Sequence, residues 1–271
     1  MAILMASLLD ADWARLGDEV RGADQAGVDG ISIDITDGIF VPRFTFGPNA
    51  VSVIRNITDL PLEVHLMIAN PEKQVEIFCD AGGDQIIFHI EATNDPLALI
   101  RYIKSRGLQA GLSLNEETPL EKLTDHMIEA IDAVNFMAVP VGYGGQKPTE
   151  RTFEKIHTIR ERAKNINPLL AVEIDGGMKP DNCAEYVEAG ADVIIIGTGI
   201  YKSSDYGEAV RIAKQNMLFN DDVSRKRLEV FLSGPSKKLA DDDMERRQRL
   251  DQLRINLDIP TRSWDPLNSR R

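Results

Sequence analysis

The chain has 271 residues, 43% of them apolar, and a formal net charge of −12. That length supports one substantial core, either a single α/β barrel or two small domains, and the acidic balance argues against a nucleic-acid groove, which needs a basic surface. No apolar run approaches the roughly 20 residues that cross a bilayer, no basic stretch followed by an apolar block reads as a signal peptide, and Cys79 and Cys183 lack any CxxC spacing. The expectation is a cytoplasmic protein with free, buried thiols and neither a membrane nor a nucleic-acid partner.

Apolar runs of β type recur eight times, at 3–8, 30–35, 62–67, 85–89, 110–114, 133–139, 169–174 and 193–196. Helix-patterned segments lie between and after them, near 12–26, 47–56, 71–81, 95–106, 119–130, 149–164, 179–189 and 205–217. Asn70-Pro71, Asp95-Pro96 and Lys179-Pro180 put proline in a first helical turn, where its missing N–H costs nothing. Ala26-Gly27, Arg106-Gly107 and Ala189-Gly190 read as helix stops before the next strand. Strict alternation with short connections predicts a parallel sheet, and eight such units predict a closed (β/α)8 TIM barrel over 1–217. A doubly wound open sheet usually carries a glycine-rich turn after its first strand; Leu9-Asp10-Ala11-Asp12 has no glycine there.

Beyond residue 217 the pattern changes. Residues 221–233 and 241–256 read as helices parted by Ser233-Gly234-Pro235-Ser236, so 218–271 is expected to be a helical C-terminal extension. Its basic clusters, such as Arg246-Arg247-Gln248-Arg249, are interleaved with acids and read as a solvated helix face.

The second strand carries the most unusual pattern. Alternation places Ile31, Ile33 and Ile35 on one face and Ser32, Asp34 and Thr36 on the other. A buried carboxylate costs several kcal/mol, roughly, unless it is compensated, so Asp34 requires a partner. In a (β/α)8 barrel the chemistry collects at the C-terminal strand ends. Those ends carry Ser7, Asp34, His65 with Met67, His89 with Glu91, Asn115, Met137, Asp175 and Gly197-Thr198. Asp34, His65 and Asp175 can converge on one divalent cation, and mixed N/O ligation suits Zn²⁺, Mn²⁺, Fe²⁺ or Co²⁺. Glycine-rich turns follow three strands: Gly142-Tyr143-Gly144-Gly145, Gly176-Gly177 and Gly197-Thr198-Gly199. Their backbone N–H groups can cradle a phosphate without a basic side chain.

These segments resemble the ribulose-phosphate 3-epimerase family from residue 3 to about 204. The matching stretches are Ser7-Leu8-Leu9-Asp10-Ala11-Asp12, Asp34-Ile35-Thr36-Asp37-Gly38, Val64-His65-Leu66-Met67, Gly142-Tyr143-Gly144-Gly145-Gln146, Glu173-Ile174-Asp175-Gly176-Gly177 and Gly197-Thr198. The resemblance implies a metal-dependent epimerase acting at carbon 3 of a ketose phosphate, with one divalent metal and a homo-oligomeric state. It makes Asp34 and Asp175 the acid/base pair and metal ligands, with His65 as a further ligand beside the substrate. It assigns substrate contact to Ser7, Met67 and Met137, and the phosphate to Gly142, Tyr143, Gly144, Gly145, Gly176, Gly177, Gly197 and Thr198.

Departures from the family pattern cluster at the site. The family reads His-x-Asp in the second strand, where this chain has Ser32 at the ligand position, and Met-Asp-Gly where it has Thr36-Asp37-Gly38. Ser32 is therefore an altered ligand position, able to hold a metal-bound water or to open room for a different sugar. Arg43 stands where the family has asparagine, as a surface cation or a second anion contact. Two other readings stay open: an aldose–ketose isomerase on the same scaffold, and a non-catalytic phosphosugar-binding protein.

Overall fold

The computed structural model describes residues 2–141, 149 and 151–217. The expected helices of 218–271 and the turn at 142–146 lie outside the described residues. Eight parallel strands close into one barrel in sequence order: β1 Ile3–Ser7, β2 Gly30–Thr36, β3 Leu62–Met67, β4 Gln85–His89, β5 Gln109–Leu114, β6 Ala133–Met137, β7 Ala171–Asp175 and β8 Val193–Ile196. The helices are α1 Leu16–Ala26, α2 Pro48–Arg55, α3 Val75–Asp80, α4 Pro96–Ser105, α5 Asp125–Ala130, α6 Arg151–Ile166, α7 Cys183–Ala189, α8 Thr198–Tyr201 and α9 Tyr206–Asn216. Among the described residues, no helix is long and apolar enough to cross a membrane.

Local chemistry explains most boundaries. Asp95, Thr124 and Asp205 cap α4, α5 and α9 through their side chains. Gly27 and Gly190 end α1 and α7 in the left-handed region. The first strand stops at Ser7 because its hydroxyl accepts from the Leu9 N–H and starts a 3-10 turn over Leu8–Asp10. The seventh begins at Ala171 rather than 169, because the Leu170 N–H closes a turn onto the Asn167 carbonyl.

Alternation divides each strand between two cores. The larger lies between sheet and helices and takes Ile31, Ile33 and Ile35; the smaller, inside the barrel, holds Ile3, Met5, Ile87, Ala133, Ala171, Val193 and Ile195. At the N-terminal face a device repeats four times. Asp29, Asp84, Asp132 and Asp192 each directly precede an even-numbered strand and accept from a backbone N–H of the odd-numbered strand before it: Leu4, Leu62, Ala110 and Val172, at 2.9 to 3.0 Å. Each also meets a cation from the helix that comes before the odd-numbered strand around the barrel: Lys214 of α9, Arg55 of α2, Lys104 of α4 and Arg160 of α6 respectively. This clasps one end of the barrel and leaves the other for chemistry, as the fold's division of labour predicts.

Candidate active site

The register brings the site together. β2 pairs with β3 so that Asp34 lies opposite His65, and β6 pairs with β7 so that Met137 lies opposite Asp175. His65 Nδ1 is 3.1 Å from Asp34 Oδ1 and 3.7 Å from Asp175 Oδ2. One ligand atom from each of the three residues falls within 4.8 Å of the others, and all three residues are buried. Ser7 donates its hydroxyl to Asp34 Oδ2 at 2.7 Å. The open side of this group is lined by Ser7, Met67, Met137, Gly176, Gly177, Gly197 and Thr198, which sequence reasoning had placed here, and by Asp10, which it had not singled out.

Electrostatics sharpen the picture. Burial alone would strip His65 of its proton; hydrogen bonds to Asp175 and Asp34 override this and raise its pKa to about 10. Burial raises Asp175. Two buried carboxylates thus look for positive charge, and a divalent cation between them and the imidazole satisfies that need. The donor set, two carboxylate oxygens and one ring nitrogen, fits Zn²⁺, Mn²⁺, Fe²⁺ or Co²⁺.

Ser32 sits one inward position deeper on β2 than Asp34 and is fully buried. Its hydroxyl donates to Glu63 Oε1 at 2.9 Å. It belongs to a polar layer beneath the ligand group, in which Gln85 Nε2 donates to Glu173 Oε1 at 2.9 Å. Burial raises Glu173 to about 7, and burial together with repulsion from Glu173 raises Glu63 well above its ordinary range. Sequence reasoning missed both glutamates, although alternation already sets Glu63 on the His65 face and Glu173 on the Asp175 face. His89 and Glu91 stood at a strand end without a role; the structure seats His89 directly behind His65. The Arg43 guanidinium lies 5.6 Å from the centre of the Trp13 ring.

The glycine turns divide. Gly176 and Gly177 have φ of +99° and +73°, and a Cβ on Gly176 would meet Val139 Cγ2 at 2.4 Å, so that turn has room for backbone only. At the Gly197-Thr198 turn, the Thr198 hydroxyl donates to Asp10 Oδ2 at 2.8 Å. Gly142, Tyr143, Gly144 and Gly145 lie outside the described residues.

The sequence pattern of the ribulose-phosphate 3 epimerase family matches residues 3–201. The chloroplastic ribulose-5-phosphate-3-epimerase of Arabidopsis thaliana is 39% identical over 213 residues, which is 77% of this chain and 75% of that protein. The ribulose-phosphate 3-epimerase of Bacillus subtilis is 39% identical over 206 residues, covering 75% of this chain and 94% of that one. Among solved structures, 3-hexulose-6-phosphate synthase from Salmonella typhimurium superposes with a TM-score of 0.57 at 20% identity, over 80% of this chain and 98% of that one, a likeness of fold alone.

Proposed function

Because this chain belongs to the ribulose-phosphate 3-epimerase family, isomerases that act on carbohydrates, we propose that it inverts carbon 3 of a ketose phosphate, with Asp34 and Asp175 as the two proton-transfer groups. The observation that carries this reading is the placement of both carboxylates beside His65 from strands three apart in the closed sheet. Asp34, His65 and Asp175 would hold one divalent cation, which supplies Lewis-acid stabilisation of the charge that develops on the sugar oxygens.

The chain's own residues do the rest. One aspartate takes the proton from carbon 3 and the other delivers one to the opposite face. Ser7, donating to Asp34 Oδ2, fixes the rotation of that carboxylate. Met67 and Met137 wall the reacting carbons with soft, apolar surface that keeps water out. Backbone N–H groups at Gly176-Gly177 and Gly197-Thr198, with the turn at 142–145, would receive the phosphate, whose distance from carbon 3 makes it an anchor for orientation. The free, buried Cys79 and Cys183 suit a reducing cytoplasm, and family resemblance supports a homo-oligomer.

The test is hydrogen exchange at carbon 3 in D₂O, read by proton NMR, across ketotetrose, ketopentose and ketohexose phosphates with Zn²⁺, Mn²⁺ or Co²⁺ supplied. Exchange with inversion at carbon 3 of at least one sugar is expected. A folded, metal-loaded sample that exchanges none of them overturns the proposal, and movement of the carbonyl instead would make it an aldose–ketose isomerase.

A further inference from the structure

A second polar chain runs behind the ligand group, and the chemistry proposed above does not use it. His65 Nε2, on the far side of the ring from Asp34, lies 3.1 Å from His89 Nε2, and the two ring planes are only 15° apart with their centres 5.1 Å from each other. His89 Nδ1 in turn lies 3.2 Å from Glu91 Oε2. The other oxygen of Glu91 accepts from the Asn115 N–H at 2.9 Å and from the Thr118 hydroxyl. Neither imidazole has any exposed surface.

One arrangement of protons serves this chain when a cation is held. The ring nitrogen that ligates a metal carries no proton. In His65 that nitrogen is Nδ1, which faces Asp34 and Asp175, so its proton lies on Nε2. The Nε2–H points at His89 Nε2, which must accept. His89 therefore carries its own proton on Nδ1 and donates it to Glu91, a carboxylate that only accepts. We infer that Glu91, acting through His89, is a positioning residue that sets the tautomer and ring orientation of His65 for a divalent cation. The requirement is sharper here because the Ser32 hydroxyl is committed to Glu63, which leaves His65 as the one imidazole of the three-residue ligand group. Outer partners of this kind change metal affinity by about 10–100-fold. The inference rests on the metal-centre reading above.

Glu91→Gln is the discriminating variant. Its amide oxygen must stay with the Asn115 and Thr118 donors, so its NH₂ faces His89 and forces that ring to accept at Nδ1. His89 would then present a proton at Nε2 to His65, whose own proton would be driven to the ligating nitrogen. Zn²⁺ affinity, measured by competition with a chromogenic chelator, should fall about 10–100-fold in Glu91→Gln. In Thr118→Val, which removes a donor to the same carboxylate without altering its charge, it should change less than about threefold. Nitrogen-15 NMR of the zinc-loaded wild type supplies a readout that needs no variant: His65 ligated through Nδ1 and protonated at Nε2, and His89 protonated at Nδ1. Unchanged affinity in Glu91→Gln, an equal loss in Thr118→Val, or His65 ligated through Nε2 would overturn the inference. A wild type that takes up no stoichiometric Zn²⁺ would instead overturn the metal centre itself, and this inference with it.

Discussion

Removing Asp84 should cost far more than removing Asp132, although the two residues repeat one another in the fold. Both accept a backbone N–H from the preceding odd-numbered strand at 2.9 Å, and both pair with a helix cation at 2.9 Å. They differ in depth: the side chains of Arg55 and Asp84 are 8% and 5% exposed, those of Lys104 and Asp132 43% and 28%. Asp84→Ala strands a buried guanidinium, a loss of about 3–5 kcal/mol, and orphans the Leu62 N–H. At about 2–4 °C per kcal/mol for a domain of this size, Tm should fall by roughly 6–20 °C. After Asp132→Ala, Lys104 can turn to water, so the loss is the exposed pair, about 0.2–1 kcal/mol, plus the Ala110 N–H, about 1 kcal/mol, or roughly 2–8 °C. Combining Asp84→Ala with Arg55→Met should recover much of the deficit, because no uncompensated charge is left inside. Thermal unfolding followed by circular dichroism reads all three variants. Equal shifts for the two single variants, or no recovery in the double variant, would refute the assignment of the cost to a stranded buried charge.

Three further outcomes are expected. Gly176→Ala combines a positive φ, about 1–2 kcal/mol, with a Cβ placed 2.4 Å from Val139 Cγ2, about 1–3 kcal/mol; Gly107→Ala, with φ +77° and nothing within 4 Å of its Cβ, carries only the first, so urea unfolding should separate the two. Asp37 accepts from the N–H groups of Ile39, Phe40 and Ala69, and although burial opposes it, these bonds hold its carboxyl below the usual range. Its folded pKa is the lower one, so its contribution is full above the unfolded value of about 3.9 and is lost as pH falls through the folded one; Asp37→Asn should lower Tm at pH 7, and its gap from the wild type should narrow as pH falls below about 3.9. Asp10→Asn keeps an oxygen for the Thr198 hydroxyl but removes a negative charge beside the turn proposed to hold phosphate; KM for a ketose phosphate should fall by about two- to fivefold with kcat little changed, the factor that up to about 1 kcal/mol provides.

What the sequence revealed, and what it withheld, follows from the range of each interaction. Alternation in β2 separated Ile31, Ile33 and Ile35 from Ser32 and Asp34 because strand periodicity is a property of the strand alone, and the structure keeps that division. The convergence of Asp34, His65 and Asp175 was legible because strand ends in a closed parallel barrel share one face. The partner of Ser32 was not legible: it depends on the register that sets Ser32 opposite Glu63, a fact about two strands at once. The His65–His89 contact likewise needs neighbouring strands, although His89 and Glu91 are only two residues apart. Helix α8, with four residues, is too short to show a period. The clasp of Asp29, Asp84, Asp132 and Asp192 repeats visibly before alternate strands, yet each aspartate alone reads as an ordinary turn residue.

The most direct test of the two-aspartate account is the early fate of hydrogen at carbon 3 when the metal-loaded wild type turns over a ketose phosphate in D₂O. Two groups on opposite faces predict that the first product molecules carry deuterium at carbon 3 while unreacted substrate retains protium, and that Asp34→Asn and Asp175→Asn each lose about 10²–10⁴ in rate. Product that keeps the substrate's own hydrogen, or turnover that survives either substitution, would contradict it.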